Sequence, residues 1–113
     1  MKLSDYSCKA TDPDAAAVSS DELAQLSAQI PNWSIQTRDG LSKLQRVYKC
    51  ADFLSALSYA EKIGAIAENN DHHPALIIEW GKLTVSWWSH SINGLHHNDF
   101  VMAAKTDEIF KAL

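Results

Sequence analysis

Glu68-Asn69-Asn70-Asp71-His72-His73-Pro74, with Trp80, His90 and Asp99 beyond it, is the stretch on which the fold turns. Upstream of it, Phe53, Leu57, Ala60, Gly64 and Ala67 recur at spacings of three and four, as one buried helix face requires. Asp52 stands where an N-cap belongs. The helix is expected to stop near Asn69-Asn70, because residues ahead of Pro74 are biased toward extended geometry. Downstream, Leu76 to Trp80 and Leu83 to Ser89 read as two strands joined around Gly81-Lys82. Leu83, Val85 and Trp87 share one face of the second strand, and Thr84, Ser86, Trp88 and His90 share the other. Gly94-Leu95 closes a loop, and a last helix is expected from about His97 toward Leu113.

The N-terminal half has the same grammar. Ser19 with Glu22 three residues on is a capping box, and the helix it starts runs through Leu23, Leu26 and Ile30 to Pro31. Trp33 to Thr37 looks extended, Asp39-Gly40 is a hairpin signal, and Leu41 to Cys50 supplies the returning strand. The order α-β-β-α-β-β-α predicts an α+β fold, a four-stranded antiparallel sheet with three helices on one face. Residues 1–18 lack periodicity and are expected to form a flexible arm, leaving residues 19–113 as a single domain. So small a sheet has open edges, and Trp87 and Trp88 add apolar area near them, so a homodimer or homotetramer is expected.

With 113 residues, 46% hydrophobic and 21% charged, the chain fits one globular domain. The net charge of −4, with Lys and Arg scattered, argues against nucleic-acid binding. No apolar run is long enough to span a membrane, and Met1 to Tyr6 lacks the apolar core of a secretion signal. Cys8 and Cys50 make neither a metal pair nor a disulfide framework by spacing. The expected compartment is the cytoplasm.

Three of the five histidines, His72, His73 and His90, fall at short, fixed separations from Glu68 and Asp99 across the helix–hairpin–helix unit. Imidazole titrates nearest neutrality, so this is a set suited to proton transfer. Taken singly, each residue has a plainer reading. Asp99 suits the first turn of a helix, Glu68 a solvated helix face, Trp80 hairpin packing, and His96 and His97 a loop or helix cap. His72 and His73 point to opposite sides of an extended chain unless Pro74 fixes a turn. His72, His73, His90 and Asp99 are acceptable zinc ligands, but there is no His pair at i,i+4 and no Cys-x-x-Cys, so no metal is expected.

Glu68, three residues, His72-His73-Pro74, five residues, Trp80, nine residues, His90, eight residues and Asp99 is a spacing that resembles the pterin-4a-carbinolamine dehydratases. Trp33, Arg38-Asp39-Gly40, Asp52-Phe53 and Gly94-Leu95 fall where that family has its equivalents, so the resemblance runs from about Leu23 to Phe110. Trp87-Trp88-Ser89-His90-Ser91-Ile92 and Asn98-Asp99-Phe100 are most similar to bacterial members that accompany phenylalanine hydroxylase.

The resemblance implies dehydration of 4a-hydroxytetrahydrobiopterin to quinonoid dihydrobiopterin, with no metal or redox cofactor, in a homo-oligomer functionally associated with phenylalanine hydroxylase. By position it makes His72, His73 and His90 the catalytic histidines. Asp99 would orient His90, and Glu68, Pro74, Trp80 and Ser89 would support the site. Loss of water from C4a needs a proton for the leaving hydroxyl and the removal of one from a ring nitrogen, which imidazoles supply at about a hundred- to ten-thousand-fold in rate. The expected division has His72 and His90 as general acids, with His73 holding the pterin and assisting removal of the ring proton. Two other readings stay open: a protein-binding module, since animal members bind a homeodomain transcription factor, and action on another pterin, as in molybdopterin metabolism.

Overall fold

In the computed structural model, residues 2–8 and 17–111 are described. Helix α1 spans Ser20–Ser27, strand β1 Ser34–Arg38 and strand β2 Leu41–Lys49. Helix α2 follows over Phe53–Asn70, then β3 over Ala75–Glu79, β4 over Lys82–Trp87 and helix α3 over His97–Lys111. The four strands form one antiparallel sheet in the order β1-β2-β4-β3, with α2 and α3 packed on it, as the alternation of elements predicts.

Local chemistry explains most boundaries. The Ser19 hydroxyl accepts the Glu22 amide at 3.2 Å while the Glu22 carboxylate takes the Ser19 amide at 3.3 Å, which completes the capping box of α1. Helix α1 ends earlier than its apolar spacing suggests, and Ile30 is buried from the turn that follows. Asp39 and Gly40 both have positive φ, the requirement of a two-residue turn matched to the strand twist. The Asp52 carboxylate caps α2 by accepting the Ser55 amide at 2.7 Å.

The end of α2 is more specific than the bias from Pro74 suggests. Asp71 takes left-handed geometry, its amide donates to the Glu68 carbonyl, and the His72 amide donates to the Ala67 carbonyl at 3.1 Å. These two crossed bonds make a Schellman motif, which satisfies the last carbonyls of the helix and turns the chain at His72.

The core lies between the sheet and the two long helices. Leu44, Leu83, Val85 and Trp87 project from the sheet onto Ala56, Ala60, Ile63 and Ala67 of α2 and Phe100, Val101 and Ala103 of α3. Each large side chain removed from water contributes about 1.5–3 kcal/mol, and the alanines of α2 let it lie close to the strands. Tyr48 stacks on Phe110 at 3.7 Å between ring centroids, and Phe110 on Tyr59 at 4.1 Å, tying the C-terminal end of α3 to β2 and α2.

Of the expected flexible arm, the described residues are 2–8 and 17–18, and these pack against the body. A short 3-10 turn over Leu3–Asp5 buries Leu3, Lys105 donates to the Ser4 carbonyl at 3.0 Å, and Tyr6 meets His97 edge-on. The Cys8 amide donates to Asn70 Oδ1 at 3.2 Å, and the Val18 amide to the Leu95 carbonyl at 3.0 Å. An apolar anchor and several backbone bonds outweigh the absence of periodicity. Among the described residues no helix is long and apolar enough to cross a membrane.

Candidate active site

The turn at Asp71 sends His72 inward and leaves His73 outside, as the alternation of extended residues requires. His72 is 9% exposed and its ring lies parallel to that of Trp87, with centroids 5.9 Å apart. Its Nε2 is 2.6 Å from Oδ1 of Asp99, which is fully buried. The other Asp99 oxygen accepts the Ser89 hydroxyl at 2.8 Å and the His96 amide at 2.8 Å. A carboxylate oxygen accepts, so the hydrogen of His72 resides on Nε2 and Nδ1 is left as the nitrogen able to take a proton.

Asp99 reaches this position through the cap of α3. The His96 ring accepts the Asn98 amide at Nδ1 at 3.1 Å, and Asp99 answers on the His96 amide, a capping box with imidazole in place of a hydroxyl. One Asp99 oxygen therefore serves the start of the helix and Ser89, and the other meets His72.

The expected pairing of Asp99 with His90 is replaced by Asp99 with His72. The reason is directional: Asp99 projects from the first turn of α3 toward the end of α2, whereas His90 sits on the exposed turn after β4. The His90 ring lies instead 4.3 Å from that of Trp88, and Lys43 Nζ lies 4.0 Å from the Trp88 ring centre. His90 directly follows Ser89, so its backbone stays one peptide from the buried pair.

Glu68 bonds His73 Nε2 at 2.6 Å, with both side chains largely exposed. Screening by water makes such a pair an orienting contact more than a source of stability. Pro74, half-buried, leads into β3, where its missing amide costs no ladder bond. Trp80 is not brought to the cluster: the whole of β3 separates it from Pro74, roughly 16 Å of extended chain, and it is 75% exposed.

Among the described residues no three His, Cys, Asp or Glu side chains converge as a metal site. Cys8 lies near the N-terminal turn of α3, with Sγ 3.7 Å from the Asn98 carbonyl. Burial pushes its thiol up to about 11, with Lys105 pulling down and Asp99 pushing up.

A second polar cluster went unforeseen from sequence. Asp107 accepts Arg46 at 2.7 Å, the Trp33 indole N–H at 3.1 Å on both oxygens, and the Tyr48 hydroxyl. Burial, then the bond to Asp107, raises the Tyr48 phenol well above its ordinary range. Arg46, Tyr48 and Asp107 border a cleft of about 380 Å³ with Gln29, Pro31, Asn32, Phe110 and Lys111, none of them in the histidine set. The bonds that converge on Asp107 clamp β2 and Trp33, just ahead of β1, to α3. Arg46 interrupting an apolar row of β2 is the one signal that could have exposed it.

The model of the family described as pterin 4 alpha carbinolamine dehydratase matches residues 16–109, which takes in all of these histidines and Asp99. The chain belongs to this family. Among solved structures it is similar to a transcriptional coactivator/pterin dehydratase from Brucella melitensis, at 28% identity and a TM-score of 0.73. That alignment covers 83% of this chain and 98% of the Brucella chain. As a pterin-4a-carbinolamine dehydratase family member, the chain has the fold that its sequence resemblance implied, and the dehydratase family gives the chemical frame for the buried His72–Asp99 pair.

Proposed function

We propose that the protein dehydrates 4a-hydroxytetrahydrobiopterin to quinonoid dihydrobiopterin, and so returns oxidised pterin from phenylalanine hydroxylation to its reducible form. The observation that carries this is the buried His72–Asp99–Ser89 arrangement, beside the exposed imidazoles of His73 and His90.

In the reaction the C4a–O bond breaks and a ring-nitrogen lone pair forms the new C=N bond. One proton joins the leaving hydroxyl to make water and one leaves the ring, with no net oxidation. His90, exposed on its turn, delivers the proton to the hydroxyl. His72, with Nε2–H held by Asp99, offers an acceptor at Nδ1 and takes the ring proton, which reverses the acid role first expected of it. His73, oriented by Glu68, holds the pterin. Pro74 and Ser89 support these positions, and the chemistry needs neither metal nor redox cofactor.

The outer edge of β3 and the exposed Ile77 and Trp80 support a homodimer or homotetramer. The family resemblance is the ground for placing it in the cytoplasm, in functional association with phenylalanine hydroxylase. The description of the Brucella relative as a transcriptional coactivator favours a protein-binding role as the second reading. The test is the dehydration rate of His72→Ala, His73→Ala and His90→Ala. Large losses in His72→Ala and His90→Ala, with a raised KM in His73→Ala, are expected; near-normal rates in all three would sink the proposal.

A further inference from the structure

Trp87 closes β4 and Trp88 directly follows it. Each meets a histidine. Trp87, buried and anchored by its N–H to Thr106 Oγ1 at 3.2 Å, carries the His72 ring. Trp88, half-buried, carries the His90 ring at 4.3 Å and 39° between planes.

The two imidazoles are not equally secured. His72 is also bonded to Asp99, whereas His90 is exposed on a turn. An exposed side chain of this kind samples several rotamers, and a proton donor is effective only in the one that faces the substrate. The contact with Trp88 is what favours one orientation. Trp88 is held in turn by Lys43, which stands on β2 one residue beyond the Leu44–Trp87 pair and sets Nζ 4.0 Å from the indole centre.

We propose that Trp88, steadied by Lys43, is a positioning residue that fixes the His90 imidazole for proton delivery. The inference rests on the dehydratase reading for its catalytic part.

The test compares Trp88→Leu, Trp88→Phe and Lys43→Met with the wild-type chain and with His90→Ala. Trp88→Leu is expected to lower kcat about tenfold with KM within about twofold, since orientation and not binding is lost. Trp88→Phe keeps an aromatic face and is expected to recover most of the rate, and Lys43→Met to fall between. In the His90→Ala background, Trp88→Leu is expected to have no further effect. The NMR resonances of the His90 ring protons, moved upfield by the indole, are expected to return downfield in Trp88→Leu and to stay in Trp88→Phe.

Wild-type kcat in Trp88→Leu, unmoved His90 resonances, or an equal loss of rate with and without His90 would each overturn the inference. A wild-type protein inert toward the carbinolamine, with resonances that still move, would sink the dehydratase reading and the catalytic role of Trp88 with it. An active wild type with an unaffected Trp88→Leu would sink the inference alone.

Discussion

Replacing Asp99 by Asn tests whether the carboxylate does more than start a helix. Asp99 accepts three hydrogens: the Ser89 hydroxyl and the His96 amide on Oδ2, and His72 Nε2–H on Oδ1. Asparagine has one acceptor oxygen. Placed at Oδ2 it preserves the capping box and the Ser89 bond, and its NH₂ then faces His72 Nε2. His72 must shift its hydrogen to Nδ1 to avoid two opposed donors. A charge-assisted bond of about 1.5–3 kcal/mol is exchanged for a neutral one of about 1 kcal/mol, a net loss of about 0.5–2 kcal/mol. An unfolding entropy of about 2.1 cal/mol/K per residue gives about 0.24 kcal/mol/K for the chain, so Tm is expected to fall by about 2–8 °C. The effect on rate is larger in proportion, because the nitrogen assigned as acceptor now bears a hydrogen; kcat is expected to drop about a hundredfold or more. Thermal unfolding by circular dichroism and steady-state dehydration measure the two effects. An unchanged Tm together with a kcat within about threefold of wild type would mean that Asp99 serves only the cap.

Two further perturbations probe the scaffold. Asp107→Ala strands the Arg46 guanidinium, the Trp33 indole N–H and the Tyr48 hydroxyl, and is expected to cost about 2–4 kcal/mol in urea unfolding while leaving the His72–Asp99 pair in place. A loss under about 0.5 kcal/mol would show that water replaces the clamp. At pH 8 the Cys8 thiol, raised from 9.0 to about 11, is expected to react with iodoacetamide about a hundredfold more slowly than free cysteine, read by mass spectrometry. Alkylation at the free-cysteine rate would mean that residues 2–8 leave α3 readily.

What sequence reveals here is what local chemistry decides. The Ser19–Glu22 box, the Asp39-Gly40 turn and the Asp52 cap each act within four residues, and the period of α2 is written in its alanines. The histidine set and its spacing to Asp99 were likewise readable. The pairing inside the set was not, because His72 and Asp99 are 27 positions apart and meet only through the docking of α3 beside the end of α2. The family resemblance suggested His90 for Asp99, and side-chain direction chose His72. The same holds for Asp107, whose partners lie 59 to 74 positions away, and for Leu3, a single apolar anchor in an otherwise unpatterned segment. Trp80 shows the opposite case: its spacing is regular, but a whole strand separates it from His72 and His73.

The most direct measurement is the decay of freshly generated pterin 4a-carbinolamine, followed by ultraviolet absorbance with and without the protein. The account predicts an acceleration that saturates with substrate, persists in the presence of a metal chelator, and is lost in a His72→Ala/His90→Ala double variant. Decay at the buffer rate with folded wild-type protein would contradict it.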